Sequence, residues 1–232
     1  MRGVKEATLL SRVGRFTVRL ADGSGGERSC HLHDPGRLSH VLRPGARVLY
    51  REAWRPGRRT SCDVVAVFDA GGELVLEDTR LPNKLWPRAQ PIVAPQLYGL
   101  QSERMVNGTR VDFVAVDEAG RPVLVEVKGT NLVSGEAALF PDAPSQRAVR
   151  QLEALHVAAL HGVRSILVFT VLRSGARRVQ PNRKVDPRFA RYLCAYSQAG
   201  TLELLAYSVK PVYSGGAVNV YFGGKLPVDA CT

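Results

Sequence analysis

The stretch RVDFVAVDEAGRPVLVEVKG, residues Arg110–Gly129, decides the fold of the second half of the chain. Two apolar runs flank a short polar segment that contains a glycine, which is the pattern of a β-hairpin. With the loop centred on Ala119, Asp112 lies opposite Glu126 on the facing strand. Lys128 follows two residues after Glu126, so its side chain projects from the same face of the sheet. The hairpin is therefore predicted to gather two acids and one lysine.

This trio predicts a metal-dependent site for phosphodiester hydrolysis. Opposed side chains lie about 5 Å apart at Cβ, and two carboxylates at that distance repel each other unless a cation lies between them. Mg²⁺ prefers oxygen ligands and is often held by one or two carboxylates. We expect Asp112 and Glu126 to hold Mg²⁺ (or Mn²⁺), with the backbone carbonyl of Val127 as a third ligand. Lys128 would orient or deprotonate the attacking water and stabilise charge on the phosphate.

A simple ion pair is the alternative interpretation of the trio. Lys128 would then pair with Asp112 or with Glu126, and acid-x-Lys triplets do arise by chance. Against this, the three charges interrupt strands that are otherwise apolar, VDFVAV and VLVEVK. Charged residues inside buried strands are usually functional or paired.

Four nearby residues are candidate accessories. Glu103 offers a third catalytic carboxylate, or is simply an exposed side chain. Arg147 and Gln151 are one turn apart on a predicted helix and share a face. We expect Arg147 to hold a phosphate and Gln151 to contact water or backbone, whereas a solvated helix face is the plainer alternative. Asp142 lies in a proline-flanked turn, where it either caps the helix or binds the metal.

The first 81 residues contain short β-patterned runs separated by Gly, Asp and Ser clusters. The predicted strands are Phe16–Ala21, Arg28–Leu32, Arg47–Ala53 and Val64–Phe68. Their spacing indicates a small β-barrel. The OB type is the best-known barrel of this size that binds nucleic acid, and a generic barrel without a ligand is the alternative.

From about Leu81 onwards strands and helices alternate, which indicates an α/β domain. The expected elements are the helices Ala143–Leu160 and Asp186–Tyr196 and the strands Ser165–Val171 and Leu202–Val209. The second helix should begin with Asp186 as its N-cap, followed by a proline. We therefore predict two domains, residues 1–81 and residues 82–232.

The charge balance favours a polyanionic partner. Lys and Arg total 32 against 21 Asp and Glu, which gives a net charge of +11 and a pI of about 10.0. Such a surplus favours nucleic acid, first of all single- or double-stranded DNA. A genome rich in Arg codons is the alternative, since 26 of the basic residues are arginine. The contacts we predict are mainly to phosphates, with little sequence preference and a steep salt dependence. They are Arg37, Arg51, Trp54, Arg55, Arg58, Arg59, Arg147, Gln151, Arg177, Arg178, Arg183 and Lys184. For the clusters Arg51–Arg59 and Arg173–Arg191, the alternative is a basic face that is simply exposed to solvent.

Other features favour a cytoplasmic protein without a membrane segment. The four cysteines form no C-x-x-C motif, so we expect ordinary thiols rather than a zinc site, with an oxidised pair as the alternative in a hyperthermophile. The apolar stretch Ser165–Leu172 is far too short to cross a bilayer, and charges such as Lys5 and Arg12 interrupt the place where a signal peptide needs an apolar core. The sequence leaves the oligomeric state open, with a homodimer as one option.

Six segments spread over nearly the whole chain match a single family pattern. They are DPGR (Asp34–Arg37), LPN (Leu81–Asn83), TRVDF (Thr109–Phe113), EVKGTNL (Glu126–Leu132), FPDAPSQR (Phe140–Arg147) and PNRKVDPRFA (Pro181–Ala190). In combination they resemble the sugar fermentation stimulation protein A family. Thr109, Asp34 and Ser145 replace the usual Ser, Asn and Thr, and Gln151 stands where a His is common. That last departure argues against acid–base chemistry at position 151 and leaves the metal-binding acids intact.

The resemblance implies an OB-type barrel joined to a C-terminal α/β domain of the PD-(D/E)XK nuclease type, with a mixed central sheet. It also implies non-specific DNA binding, with a proposed regulatory link to maltose metabolism. On this pattern Asp112, Glu126 and Lys128 fall on the nuclease motif, with Glu103 and Arg147 as accessories. Three hypotheses follow, because a fold alone does not fix an activity. They are a Mg²⁺-dependent deoxyribonuclease, a non-catalytic DNA-binding regulator on the same scaffold, and an enzyme that acts on RNA or structured DNA.

Overall fold

The computed structural model describes residues 1–106 and 109–232, which form two compact units. The first unit comprises Met1–Arg80, Leu172–Gly175 and Val209–Gly223, and the second comprises Leu81–Val171, Ala176–Ser208 and Gly224–Thr232. The chain thus divides one residue from the predicted boundary, but two later segments belong with the first unit. Backbone hydrogen bonds hold one of them there: the Val4 N–H donates to the Gly216 carbonyl at 2.9 Å, and the Val218 N–H to the Met1 carbonyl at 2.8 Å.

The first unit contains a closed β-barrel. Its strands are β1 (Val4–Val13), β2 (Thr17–Asp22), β3 (Glu27–His31), β4 (Arg47–Glu52), β5 (Cys62–Phe68) and β6 (Leu74–Leu76). They follow the order β3-β2-β1-β4-β5-β6, and a parallel pairing of β3 with β5 closes the barrel. Buried apolar side chains such as Leu9, Val18 and Val67 fill its interior. The small barrel predicted from the sequence is therefore confirmed.

The cysteine prediction is wrong, because all four cysteines are in disulfide bonds. Cys30 and Cys62 face each other in the β3–β5 pairing, with their Cα atoms 4.5 Å apart. Cys194 bonds to Cys231, with a Cα–Cα distance of 4.7 Å. The partners are 32 and 37 residues apart in sequence, so the pairing becomes visible only once the barrel is closed and the C-terminal segment is in place.

The second unit is built around a mixed sheet. The elements from Leu81 onwards are α1 (Leu81–Val93), β7 (Tyr98–Val106), β8 (Thr109–Val116), β9 (Pro122–Thr130), β10 (Val133–Ser134), β11 (Ala137–Phe140), α2 (Gln146–Leu160), β12 (Arg164–Val171), β13 (Arg178–Pro181), α3 (Pro187–Gln198), β14 (Glu203–Ser214) and β15 (Ala217–Lys225). The second half of β14 and most of β15 lie in the Val209–Gly223 segment of the first unit. The main sheet has the order β15-β14-β12-β9-β8-β7. Strand β12 runs parallel to β9 and β14, whereas β7, β8 and β9 are antiparallel. The α/β prediction is confirmed.

Helices α1 and α2 pack against this sheet, and α2 and α3 begin at polar caps. The Ser145 side chain accepts a hydrogen bond from the Ala148 N–H at 3.1 Å, so α2 begins three residues after the predicted start and Asp142 is not its N-cap. Asp186 caps α3 as predicted, through the Phe189 N–H at 2.9 Å. Among the helices of the described segments, none has the length and apolar character needed to cross a membrane.

Candidate functional site

The β8–β9 hairpin positions the first acid of the predicted trio. Its ladder pairs Val114 with Leu124, as predicted. The last pair at the open end of the hairpin is Phe113 with Val125, next to Asp112 and Glu126. Beyond that end, Asp112 Oδ2 accepts a hydrogen bond from the Val127 N–H at 2.9 Å. Asp112 Oδ1 accepts another from Asn83 Nδ2 on α1, also at 2.9 Å. Both carboxylate oxygens are therefore held, one by the sheet and one by a helix.

The second acid and the lysine form a tight network with a glutamine from α2. Glu126 is 2% exposed, and its Oε1 lies 2.6 Å from Lys128 Nζ. Gln151 Nε2 also donates to Glu126 Oε1, while Gln151 Oε1 accepts from Lys128 Nζ at 2.6 Å. Each of the three side chains thus contacts the other two, and Gln151 holds both Glu126 and Lys128 in place.

The electrostatics of this network centre on Glu126. Burial raises its pKa from the usual 4.5 to about 7, and the nearby Asp112 acts in the same direction while Lys128 opposes the shift. The desolvation of a charge therefore outweighs a direct ion pair at this position. A second cation beside the two carboxylates would relieve this cost.

The donor set suits a hard divalent cation. Two carboxylates lie close enough for Asp112 to influence the charge of Glu126. Within residues 1–106 and 109–232, no cluster of three or more His, Cys, Asp or Glu side chains has the spacing of a metal site, so the protein offers two acidic ligands here. Mg²⁺ is commonly bound by one or two carboxylates and keeps several waters. The residues present fit such an ion, with the Val127 carbonyl adjacent in the chain.

Glu103 does not join this group. Its side chain is 64% exposed and forms an ion pair with Arg110 at 2.6 Å. In the β7–β8 ladder, the neighbouring pairs Ser102–Phe113 and Arg104–Val111 place Glu103 across from Asp112, but its backbone has a positive φ of 53°. The strand register thus places Glu103 next to Asp112, but its carboxylate pairs with Arg110 and not with Glu126, Lys128 or Gln151.

Two predicted accessories lie around the start of α2. Arg147 is exposed in the first turn, one turn before Gln151. Asp142 precedes the helix, and its Oδ2 is buried without a hydrogen-bond partner among the described residues. The structure therefore brings Gln151 into the network and leaves Arg147 facing solvent beside it.

The basic loop of the barrel divides into structural and exposed residues. Arg58 donates to the Ala53 carbonyl at 2.8 Å and to Thr60 Oγ1 at 3.0 Å, and it forms an ion pair with Asp63. Burial of Asp63 works against its charge, but Arg58 and His33 outweigh this and lower its pKa. Arg58 thus organises the loop. The exposed predicted contacts of this unit are Arg37, Arg51, Trp54, Arg55 and Arg59.

The basic residues near the C-terminus are largely engaged with other groups. Arg177 pairs with Glu136 at 3.0 Å, and Arg178 lies 3.8 Å from both Glu136 and Asp229. Arg183 Nε donates to a backbone carbonyl at 2.6 Å, whereas Lys184 is exposed. This segment therefore offers fewer available cations than its sequence indicates.

Asn83 is the site residue that pattern analysis missed. It belongs to the LPN segment at the start of α1, 29 residues before its partner Asp112. A polar side chain in the first turn of a half-buried helix was the available signal, but its partner follows only from the packing of α1 against β9.

Comparisons with known proteins cover both units. The family model described as the SfsA N-terminal OB domain matches residues 10–77, and the model described as the sugar fermentation stimulation protein RE domain matches residues 80–214. A sugar fermentation stimulation protein homolog of Chloroflexus aurantiacus is 40% identical over 97% of this chain and 85% of its own. The homolog of Moorella thermoacetica is 38% identical over 87% and 88%.

The fold has a solved counterpart. The structure of Pyrococcus furiosus SfsA in complex with Ca²⁺ matches 99% of both chains with a TM-score of 0.83 and 24% sequence identity. This likeness and the two family models confirm the predicted fold class, an OB-type barrel followed by a restriction-endonuclease-like α/β domain. The chain belongs to the sugar fermentation stimulation protein family.

Proposed function

We propose that the protein hydrolyses phosphodiester bonds of DNA in a Mg²⁺- or Mn²⁺-dependent reaction, with little sequence preference. The observation that carries this proposal is the meeting of Asp112, Glu126 and Lys128 at the end of one hairpin. Two acids and a lysine inside otherwise apolar strands serve no evident packing purpose. Their chemistry suits the cleavage of an anionic backbone.

The two carboxylates would hold the metal ion, with the Val127 carbonyl as a third ligand. When bound, the ion supplies Lewis-acid polarisation of the phosphoryl group. Asn83 and the Val127 N–H fix the Asp112 carboxylate. Lys128 would donate to a phosphate oxygen as negative charge grows, or orient the attacking water. Gln151 holds Lys128 and Glu126 in register through hydrogen bonds to both.

DNA binding is supported by the charge of the protein rather than by a motif for sequence-specific recognition. The net charge of +11 favours a polyanion, and Trp54 is 71% exposed in the arginine-rich loop of the barrel. An exposed aromatic ring between arginines suits base stacking together with phosphate contact. Such contacts give affinity without base-specific recognition.

A second candidate function is DNA binding without cleavage. Lys128, Glu126 and Gln151 satisfy one another through direct hydrogen bonds. A closed network of this kind also stabilises a fold that has no catalytic role. The regulatory hypothesis therefore stays beside the hydrolytic one.

The experiment is cleavage of plasmid, single-stranded DNA and RNA during a Mg²⁺ and Mn²⁺ titration. Asp112→Asn keeps the shape of the side chain and should reduce cleavage at least about 100-fold while leaving DNA binding intact. Glu118→Gln is the matched control, because it removes one charge from the exposed turn of the same hairpin. Binding without cleavage by the wild type would favour the second candidate. Equal cleavage by wild type and Asp112→Asn would assign the activity to a contaminant.

A further inference from the structure

A groove of about 370 Å³ opens beside the candidate site in the second unit. Glu126 and Gln151 line one part of it. Its floor includes Val111, Leu124 and Leu155, which are all buried. The groove is therefore continuous with the proposed metal-binding carboxylate and is apolar along its floor.

The outer wall comes from the second half of α2. Val157 lines the groove and is 51% exposed, and the small side chains of Ala154 and Ala158 also line it. The alanines leave room that larger side chains would fill. A concave apolar surface with a few polar groups at one end is typical of a ligand site.

One arginine, Arg110, lines this surface, and a second, Arg147, lies on α2 outside the lining. Arg110 lines the groove with a side chain that is 63% exposed, and its guanidinium keeps further donors beyond its ion pair with Glu103. Glu153 also lines the groove, but its carboxylate is bound by Arg188 at 3.0 Å. Arg147 is exposed one turn before Gln151 on the same helix. The edges therefore suit phosphate groups, whereas the floor suits an uncharged flat ring.

We propose that the groove receives one unpaired nucleobase next to the phosphate on which the candidate site acts, a proposal that rests on the function proposed above. An apolar slot accepts the π-face of a base, and the Arg110 guanidinium in its lining can contact the phosphate backbone. In an intact duplex every base is stacked and paired, so entry requires unstacking. The substrate class is accordingly single-stranded or locally unpaired DNA.

Binding is tested without cleavage, in EDTA. 2′-Deoxyadenosine 5′-monophosphate is titrated into protein with labelled methyl groups and followed by NMR. We expect shifts at Leu124, Leu155 and Val157 that inorganic phosphate does not reproduce. Ala158→Phe fills the groove and should weaken nucleotide affinity at least about tenfold. Ala159→Phe, the same change one residue further along α2 and outside the groove, should leave affinity unchanged.

Cleavage provides a second measurement. With Mg²⁺, the wild type should cut a single-stranded oligonucleotide at least about tenfold faster than the same sequence in a perfect duplex. Ala158→Phe should lose this preference, whereas Ala159→Phe should keep it. Ala154→Leu is a second groove-filling variant in case the phenylalanine disturbs folding, which circular dichroism monitors.

The outcomes separate this proposal from the proposed hydrolysis. Absent methyl shifts, shifts that phosphate alone reproduces, or equal nucleotide affinity in Ala158→Phe and Ala159→Phe would overturn the base site. If the wild type cuts no DNA but binds the nucleotide in a way that Ala158→Phe abolishes, the base site stands and the hydrolysis fails. If the wild type cuts DNA and groove-filled variants match Ala159→Phe, the hydrolysis stands and the base site fails.

Discussion

At the scale of single residues, Glu126 shows how the site is balanced. Lys128 and Gln151 both donate to its carboxylate, yet burial still raises its pKa to about 7. The folded protein therefore favours the protonated, neutral form of Glu126 over its carboxylate form. Such an imbalance is common at functional sites, because a ligand with the complementary charge removes it.

The first prediction concerns the stability of Glu126→Gln. Between pH 4.5 and about 7, the folded protein keeps a proton on Glu126 that the unfolded chain has lost, so wild-type stability falls as pH rises through this range. The glutamine has no such dependence. In EDTA, the variant should gain on the order of 3 kcal/mol over the wild type above pH 7 and little below pH 4.5. Urea unfolding at both ends of this range measures the difference, and a difference that does not change with pH would contradict it.

The second prediction concerns Asn83, which fixes Asp112 Oδ1. Asn83→Ala should lower cleavage about 10- to 100-fold, as is typical when a group that orients a metal ligand is removed. Affinity for DNA should not change. Lys84→Ala, at the adjacent exposed position of α1, is the control. Cleavage by Asn83→Ala at the wild-type rate would show that the Val127 N–H alone suffices to hold the carboxylate.

Alternation along two strands was enough to predict that Asp112, Glu126 and Lys128 share a face. It could not predict which groups would surround them. Asn83 and Gln151 come from helices, 29 and 25 residues away from their partners Asp112 and Glu126. Their contacts depend on how each helix packs on the sheet, which no local pattern encodes.

At the scale of elements, helices and strands with a regular pattern of apolar residues could be predicted, whereas those interrupted by prolines or charges could not. The hairpin register and the Asp186 cap follow from residue type and spacing alone. Helix α1 was missed because Pro87 and Pro91 lie inside it, although prolines normally interrupt helices. Strand β1 was missed because the charged Lys5 and Glu6 separate its buried Val4 and Ala7, so its first residues do not alternate.

The third prediction concerns the disulfide between α3 and the C-terminal segment. The bond joins Cys194 to Cys231, which are 37 residues apart in sequence. For a loop of this length the chain-entropy model gives about 3–4 kcal/mol of stabilisation. The Cys194→Ala/Cys231→Ala double variant should therefore melt at a lower temperature than the oxidised wild type. Reduced wild type should show a loss in the same direction. Thiol titration of the oxidised, unfolded protein should find no free cysteine, and four reactive thiols would contradict the pairing.

At the scale of the whole molecule, net charge is a poor guide to the DNA-binding residues. Several arginines that contribute to the surplus are engaged by acids, as Arg173 is by Asp69 and Glu73 and Arg177 is by Glu136. Arg55 and Arg59 are exposed in the barrel loop instead. Composition therefore indicates only a class of partner, whereas the charges available to contact one depend on the ion pairs that the fold makes.

The fourth prediction separates available from engaged arginines. Binding of single-stranded DNA should weaken steeply between about 50 and 200 mM NaCl. Arg55→Ala/Arg59→Ala should reduce the slope of log affinity against log salt by about 1.4, roughly 0.7 for each lost phosphate contact to a single strand, without changing stability. Arg58→Ala should instead destabilise the protein by about 1–3 kcal/mol, because it leaves the buried Asp63 without this partner. An unchanged slope in the double variant would place the DNA elsewhere.

The central claim is that Asp112 and Glu126 hold a divalent cation, and a crystal soaked in Mn²⁺ tests it most directly. We predict an anomalous difference peak within coordination distance of both carboxylates, with Lys128 turned away from the direct contact that it makes with Glu126. A fully soaked crystal that shows no peak there, with the ion pair between Lys128 and Glu126 unchanged, would contradict the metal site and leave only a basic scaffold.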